Sequence, residues 1–474
     1  MSTPVPQLRR TAIIATIGPA TDSPEMLDRL ILAGMDVARL NMSHAKHDAT
    51  RAIVAHLREA SVRLDRRVAI LMDLQGPAIR TGDLPVDLHL EPGQTIALTV
   101  RGEVSEEHAS VDVNYDHLVD DLSVGDTVLV DNGNIHLKVL SKQQNQLVCE
   151  VLTDGVLGSR RHINLPGIRV NLPALTEKDL LDIALGIELE VDYFAMSFVR
   201  EANDITRLRG ILDYHRAPQK IVAKLEDQQG IRNLDGIIEE ADAIMVARGD
   251  LGIEVSYEEL PIVQRRVVKH CLQLGRPVIV ATHMLESMIE NPSPTRAEIT
   301  DVANAVYEQA DAIMLSGETS VGKYPIKCIE VMDRVARRTE RSGGAGYGDN
   351  SEMKTNRDKI ARSACTLAEN VQAAALLVFT RQGRTAQAAA RFRPLKTPIF
   401  AFANNQKLVN QLSLLWGTDS FFMQFNDQDP GENVQLATAF LLQRGLLAPG
   451  DTVIVMTEVK SRGKMLNTIQ LEQV

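Results

Sequence analysis

Cysteine is scarce in this chain: Cys149, Cys271, Cys328 and Cys365 are the only four in 474 residues, far apart and without a Cys-x-x-Cys pair. That pattern argues against a disulfide framework and predicts free, mostly buried thiols in a reducing cytoplasm. Long apolar runs are absent as well. No stretch approaches the ~20 residues of a membrane span. The short run in RRTAIIATIG (9–18) contains Thr and Gly and is followed by no small-residue cleavage site, so it reads as a first strand and not as a signal peptide. Basic charge is in deficit. A formal net charge of −11 provides no general basic face for sequence-independent nucleic-acid binding, so an anionic substrate has to be captured by a local cluster of Arg and Lys. The expectation is a soluble cytoplasmic protein whose partners include neither nucleic acid nor membrane.

What is present points to a multi-domain α/β protein. The 44% hydrophobic and 24% charged fractions are ordinary for a globular chain, and the length suggests about three domains of ~150 residues. Eight short apolar segments punctuate the first part of the chain: AIIATIG (12–18), VARLN (37–41), AILMDLQ (69–75), YFAMSFV (193–199), KIVAKLE (220–226), AIMVARGDL (243–251), PVIVATHML (277–285) and AIMLSGET (312–319). Most are separated by segments of helical spacing, such as SPEMLDRLILAG. Eight βα units are the count of a (β/α)8 TIM-type barrel, whose chemistry sits where the strands run out. The residues at those ends are Arg39, Asn41, Asp73, Ser197, Lys224, Glu226, Asp250, Thr282 and Glu318. Gathered into one ring they form a cationic and carboxylate site suited to phosphoryl groups and a divalent metal. The echo between ADAIMVARGD (241–250) and ADAIMLSGET (310–319) reads as two barrel strands under one constraint.

Two interruptions divide the barrel pattern. Residues 1–74 and 172–345 carry it. Residues 75–171 alternate as strands do, with PG, VGD and DNGN turns, and read as an inserted all-β domain of β-barrel type. An insertion after the third strand emerges at the catalytic face, where a mobile lid excludes water. The Gly- and Ser-rich RSGGAGYGDNSE (341–352) then leads into a C-terminal α/β domain, 346–474. That domain carries FTRQGRTAQ (379–387), a Gly-containing loop feeding a helix start, which is a natural phosphate cradle.

Lys224 and Glu226 lie two apart on one strand, so their side chains share a face. Asp250 follows in VARGDLG, where two glycines let a ligand approach the backbone. Two carboxylates completed by water and substrate oxygens describe Mg2+ better than Ca2+. Arg39 and Asn41 repeat the spacing, Ser43 and Asp73 add oxygens, and Arg80 adds an anion-binding guanidinium. Phosphoryl transfer needs positioning and charge neutralisation more than covalent help, which such a set provides.

The segments ARLNMSH (38–44), MDLQGPAIRTG (72–82), VAKLED (222–227), MVARGDLG (245–252), ATHMLESM (281–288), NPSPTRAE (291–298) and MLSGET (314–319) closely resemble the signature segments of pyruvate kinases, in order and spacing. The resemblance spans the whole chain. It implies transfer of the phosphoryl group of phosphoenolpyruvate to ADP, giving pyruvate and ATP in the last step of glycolysis. It makes Lys224 the lysine beside the transferring group, with Arg39, Thr282 and Arg80 as further catalytic residues, and Thr282 or Ser316 near the enolate to be protonated. It implies that Glu226 and Asp250 hold Mg2+, for which Mn2+ can substitute. Arg39, Lys224, Gly249, Asp250 and Thr282 would bind phosphoenolpyruvate, and Asn41, Ser43, His44, Arg80 and Lys178 the nucleotide. Asn41, Ser43, Asp73 and Leu74 would form the family's K+ site. The loop Thr380, Arg381, Gln382, Gly383, Arg384 and Thr385 would hold the phosphate of an allosteric effector in a homotetramer. Three positions depart from the family's pattern: Leu74-Gln75-Gly76 removes a hydroxyl, Ala78 replaces a Glu or Lys, and His283 stands beside Thr282 where Gln is common. The first two put K+ dependence in question. A metal-dependent lyase that forms a pyruvate enolate in a similar barrel is the rival enzymatic reading, and a catalytically dead effector-binding scaffold the non-enzymatic one.

Overall fold

The structure, a computed structural model, describes residues 9–105, 107–461 and 464–474. Eight parallel strands close into a barrel. They are β1 (Ala12–Ile17), β2 (Val37–Asn41), β3 (Ala69–Asp73), β4 (Tyr193–Met196), β5 (Lys220–Leu225), β6 (Ala243–Ala247), β7 (Val278–Ala281) and β8 (Ala312–Leu315). Each pairs with its neighbours in sequence, and β8 returns to β1.

Alternation decides what each strand offers. Ile14, Val37, Leu71, Ala195, Val222, Met245 and Met314 belong to an apolar plug that fills the barrel. Ile13, Ala38, Ile70, Phe194, Ala223 and Ile244 belong to the larger core shared with the surrounding helices. One step of two beyond the inward series come Thr16, Arg39, Asp73, Ser197 and Lys224. The period of two therefore carries these polar groups to the mouth, above the plug.

A repeated device ties the opposite end. Asp36, Asp192, Asp242 and Asp311 stand immediately before β2, β4, β6 and β8. Each accepts a backbone N–H at the start of the preceding strand: Ile13 at 2.8 Å, Ile70 at 2.7 Å, Ile221 at 2.9 Å and Val278 at 3.0 Å. Each also pairs with an arginine: Arg9 at 2.8 Å, Arg58 at 3.0 Å, Arg209 at 2.6 Å and Arg393 at 2.6 Å. This is the constraint behind the Ala-Asp-Ala-Ile-Met echo. Each strand entry needs an acceptor for a buried N–H, and the arginine stabilises the buried carboxylate.

The chain leaves the barrel after β3 and returns through the helix Glu177–Glu188, whose start is fixed by a Thr176–Asp179 capping box. Between them the insert builds its own core from residues such as Ile96, Leu98, Val128, Leu137 and Leu147. Its described strands form a six-stranded sheet beside a two-stranded one (Leu88–Leu90 with Gly155–Leu157), where the sequence suggested a single barrel. The C-terminal domain is a five-stranded sheet with two apolar faces. Four of its strands run parallel and the last, Lys464–Gln473, antiparallel.

This domain docks at the entry end of the barrel strands. Gln387 Nε2 donates to the Gly275 carbonyl at 2.9 Å, and the Trp416 N–H to Asp311 at 3.1 Å. Trp416 is buried, with the Arg10 and Arg393 guanidiniums 5.4 Å and 5.3 Å from its ring. No helix among the described residues is long and apolar enough to cross a membrane.

Candidate active site

A cavity of about 340 Å³ opens at the barrel mouth under the insert. Arg39, Asn41, Ser43, His44, Asp73, Leu74, Arg80, Lys224, Glu226 and Asp250 line it together. Asp73, 1% exposed, is the hub. Its Oδ2 accepts Arg39 Nε at 2.7 Å, and its Oδ1 lies 3.2 Å from Lys224 Nζ. Lys224 Nζ also donates to Ser197 Oγ at 2.7 Å and pairs with Glu226 Oε1 at 2.9 Å. The second Glu226 oxygen accepts the Phe198 N–H at 2.7 Å.

The charges follow from this packing. Burial alone favours neutral Asp73, but Lys224 and Arg39 outweigh it and hold the carboxyl below its ordinary range. Burial likewise disfavours the Lys224 ammonium, yet Asp73 and Glu226 outweigh it and raise its pKa. Glu226 shares its cation with Asp73, and burial pushes it up to about 7. The site thus holds its lysine as the ammonium between two carboxylates.

Several expected positions are placed differently. β6 stops at Ala247, and Asp250 stands in the first turn of the helix Arg248–Glu254 instead of on a strand. Thr282 and His283 follow β7 with φ of +68° and +54°, a conformation that costs a branched residue energy and must be held. Arg248, which the sequence reading passed over, holds it. Its guanidinium donates to the Thr282 carbonyl at 2.6 Å and to Asp301 at 2.6 Å. Thr282 Oγ1 accepts the Gly249 N–H at 2.6 Å and donates to the Ala281 carbonyl at 2.6 Å, so these two substrate-binding candidates are closed on one another.

Glu318 does not join the ring. It is 2% exposed and folds back to accept the N–H groups of Leu285 and Ser316 at 3.0 Å and 2.7 Å, bracing the turns after β7 and β8. The Ser316 hydroxyl is buried without a hydrogen-bond partner among the described residues. His283 is exposed, 3.8 Å from Glu286. Lys178 sits behind the 41–44 turn, donating to the Met42 carbonyl at 2.7 Å and to Asp182 at 2.6 Å.

The effector candidates Thr380–Thr385 lie on the other domain. Thr380 Oγ1 accepts the Gly383 N–H at 2.9 Å, and Gly383 adopts φ +80° at the start of the helix Arg384–Arg391. Arg381 pairs with Asp427. A bisphosphate would need a second cationic cluster, for which the sequence VKSRGKM (459–465) offers Lys460, Arg462 and Lys464; Arg462 and the side chains of the other two lie outside the described residues.

The insert adds groups that sequence reasoning missed: Asp131, Asn132, Arg160, Arg161 and His162 line the same cavity. The DNGN turn was the available signal, since Asp131 and Asn132 take φ of +55° and +56° at its tip. Phe198, at φ +54°, aims its N–H at Glu226. Gly76 is required where the chain enters the insert: φ is +71°, and a Cβ there would lie 2.9 Å from Ser197 Cβ.

The donor set fits Mg2+. Two carboxylates, Glu226 and Asp250, face one cavity. Water and substrate oxygens would complete such a site, the manner in which Mg2+ is usually held. The K+ set fits less well. Asp73 already faces two cations, and the Leu74 carbonyl accepts Ser197 Oγ at 2.8 Å.

A (β/α)8 barrel with paired carboxylates and buried cations beneath an inserted lid defines an enzyme of the phosphoryl-handling class. The family description "Pyruvate kinase, barrel domain" matches residues 8–329, and "Pyruvate kinase, alpha/beta domain" matches residues 358–471. The chain is 41% identical over 462 residues to the pyruvate kinase of Geobacillus stearothermophilus, covering 95% of this chain and 78% of that one. It is 40% identical over 473 residues to plastidial pyruvate kinase 2 of Arabidopsis thaliana, covering 98% and 81%. The crystal structure of a pyruvate kinase from Cryptosporidium parvum superposes with a TM-score of 0.92 at 33% identity, covering 98% of this chain and 96% of that one. The chain belongs to the pyruvate kinase family.

Proposed function

We propose that this enzyme transfers the phosphoryl group of phosphoenolpyruvate to ADP. The P–O bond to the enolic oxygen breaks, a P–O bond to the terminal phosphate of ADP forms, and the enolate is protonated at carbon to give pyruvate. The observation that carries the reading is Lys224, fixed by Asp73, Ser197 and Glu226 in the cavity that Arg39 and Asp250 also line. An ammonium held in place stabilises charge on the phosphoryl group in flight at no reorganisation cost. Arg39, anchored on Asp73 and on Thr16 at 2.9 Å, offers its remaining donors to the phosphate. Glu226 and Asp250 would hold Mg2+, which when bound would neutralise charge on the phosphoryl oxygens. Insert residues Arg160, Arg161 and Arg80 supply cationic surface over the cavity and help exclude water. Asn41, Ser43 and His44 are the nucleotide-side residues, with Lys178 bracing their turn. A coupled assay for pyruvate and ATP tests this: both should appear only with phosphoenolpyruvate, ADP and Mg2+ together. Pyruvate release without ADP would identify a lyase instead, and no turnover a scaffold.

Reduced dependence on potassium is a second expectation, since Leu74 contributes no side-chain oxygen and Asp73 is already neutralised. Rates in KCl and in tetramethylammonium chloride at equal ionic strength should differ only modestly. An enzyme silent without K+ and strongly activated by it would refute this.

The loop Thr380–Thr385 supports activation by a sugar monophosphate or nucleoside monophosphate, with fructose 1,6-bisphosphate weaker. Arg384 is exposed at the helix start, where phosphate binding is favoured. Arg384→Ala should abolish the effector-dependent fall in the half-saturating phosphoenolpyruvate concentration while kcat at saturation stays nearly intact. A variant that responds like wild type places the phosphate elsewhere.

A further inference from the structure

Behind Glu226 lies a second cavity, of about 370 Å³, between the root of the insert and the barrel. His162, Phe198 and Glu226 line both spaces, so the two stand back to back. Nothing in the proposed reaction uses the second one.

Besides Glu201, Glu226 and Asp227, its polar lining offers two zones. In one, Glu254 and Asn164 are 8% and 5% exposed. Asn164 Nδ2 donates to Glu254 Oε1 at 3.2 Å, while its amide oxygen is buried with no partner among the described residues. Among the described residues the Glu254 carboxylate pairs with no cation: burial pushes it up to about 7, Asn164 opposes this, and Asp227 and Asp250 add to it. A carboxylate and an amide oxygen beside empty space call for a cationic group rich in N–H donors. In the other zone, Arg169 and Arg232 are exposed and form no ion pair among the described residues. The cavity's third arginine, Arg200, is buried and committed to the carbonyls of Val170 and Leu172 at 3.1 Å and 2.7 Å.

Gln228 lies on the barrel side of the cavity: its Nε2 donates to the main-chain carbonyl of Glu254 at 2.6 Å, and its Oε1 accepts Arg232 at 3.1 Å. The volume of about 370 Å³ suits a small molecule.

We propose that this cavity is a binding site for a small zwitterion, with its ammonium against Glu254 and Asn164 and its anionic end toward Arg169 and Arg232. An occupant bridges the insert root (Asn164, Arg169) and the barrel (Gln228, Arg232, Glu254), and so fastens the insert over the mouth it covers.

The test is calorimetric titration of the full chain with the amino acids, β-alanine and taurine. Phosphoenolpyruvate and Mg2+ are kept saturating so that the mouth is occupied. At least one zwitterion should bind with a dissociation constant below about 1 mM, with butylamine and acetate at least about tenfold weaker. Glu254→Gln, which keeps the shape, and Arg232→Gln, a surface change, should each weaken binding about tenfold or more. Neither residue belongs to the proposed catalytic set, so both variants should retain the basal coupled rate. No binding by any zwitterion, or binding that either variant leaves unchanged, overturns the proposal. Because the titration reads heat and not turnover, it stands whether or not the kinase assignment does.

Discussion

Lys224→Met is expected to lower kcat about a thousandfold, ~4 kcal/mol of transition-state stabilisation, with KM for phosphoenolpyruvate within about threefold of wild type. The argument is one of differential binding. Lys224 Nζ is already satisfied in the resting site by Ser197 at 2.7 Å, Glu226 at 2.9 Å and Asp73 at 3.2 Å. It has little to gain from bound substrate, whose phosphate Arg39 can hold. Charge that develops on the phosphoryl group in flight draws on the ammonium more strongly, and an interaction confined to the transition state appears in kcat. Methionine keeps most of the length of the stem and removes only the charge. Steady-state kinetics with a thermal melt as a folding control decides the matter. Retention of more than about a tenth of wild-type kcat, a loss of only ~1.4 kcal/mol, removes Lys224 from the role.

The barrel and the centre of this site were legible in the sequence because both follow one rule. A strand buried on two faces reads as an apolar run, and its first polar inward residue marks the mouth. Arg39, Asp73, Ser197 and Lys224 all obey it. The rule fails where the chain turns before the apolar or small residues run out. AIMVARGDL reads as one strand to Leu251, yet the backbone enters a helix at Arg248 because that side chain is buried against Thr282 and Asp301. Glu318 misled for the same reason: β8 ends at Leu315, and the short helix Gly317–Ser320 carries the carboxylate back to cap two N–H groups. In the C-terminal domain the helix Pro430–Gln443 was legible and went unread, with Asp429 as its cap and Pro430 in its first turn. Of the insert's contribution to the mouth the sequence offered only the DNGN turn. Asp131 and Arg161 meet through an ion pair at 3.2 Å that only the tertiary fold creates.

Asp73→Ala should be the most destabilising single change in the site, by about 3–5 kcal/mol, because it strands two buried cations. Arg39 is anchored by Asp73 through two nitrogens at 2.7 Å, and Lys224 by its other oxygen. Removing the carboxylate leaves the guanidinium only Thr16 and leaves the ammonium Ser197 and a single carboxylate, Glu226, so activity should fall with stability. Asp73→Asn keeps the volume but not the charge, and should show most of the same loss. The pH dependence has a definite sign. Asp73 has its pKa depressed in the folded state, so its contribution is fully present above the unfolded value near ~3.9 and is lost as pH falls through the folded one. The difference between wild type and Asp73→Asn should therefore be constant from pH 7 to about pH 5 and shrink below about pH 4. Trp416 is the only tryptophan and is buried where the C-terminal domain meets the base of β8. Its fluorescence through a urea titration gives the midpoint of unfolding at that junction, and far-ultraviolet circular dichroism gives that of the whole chain. A variant with the wild-type midpoint by both probes at pH 7 would show that Asp73 is not the hub on which the two cations depend.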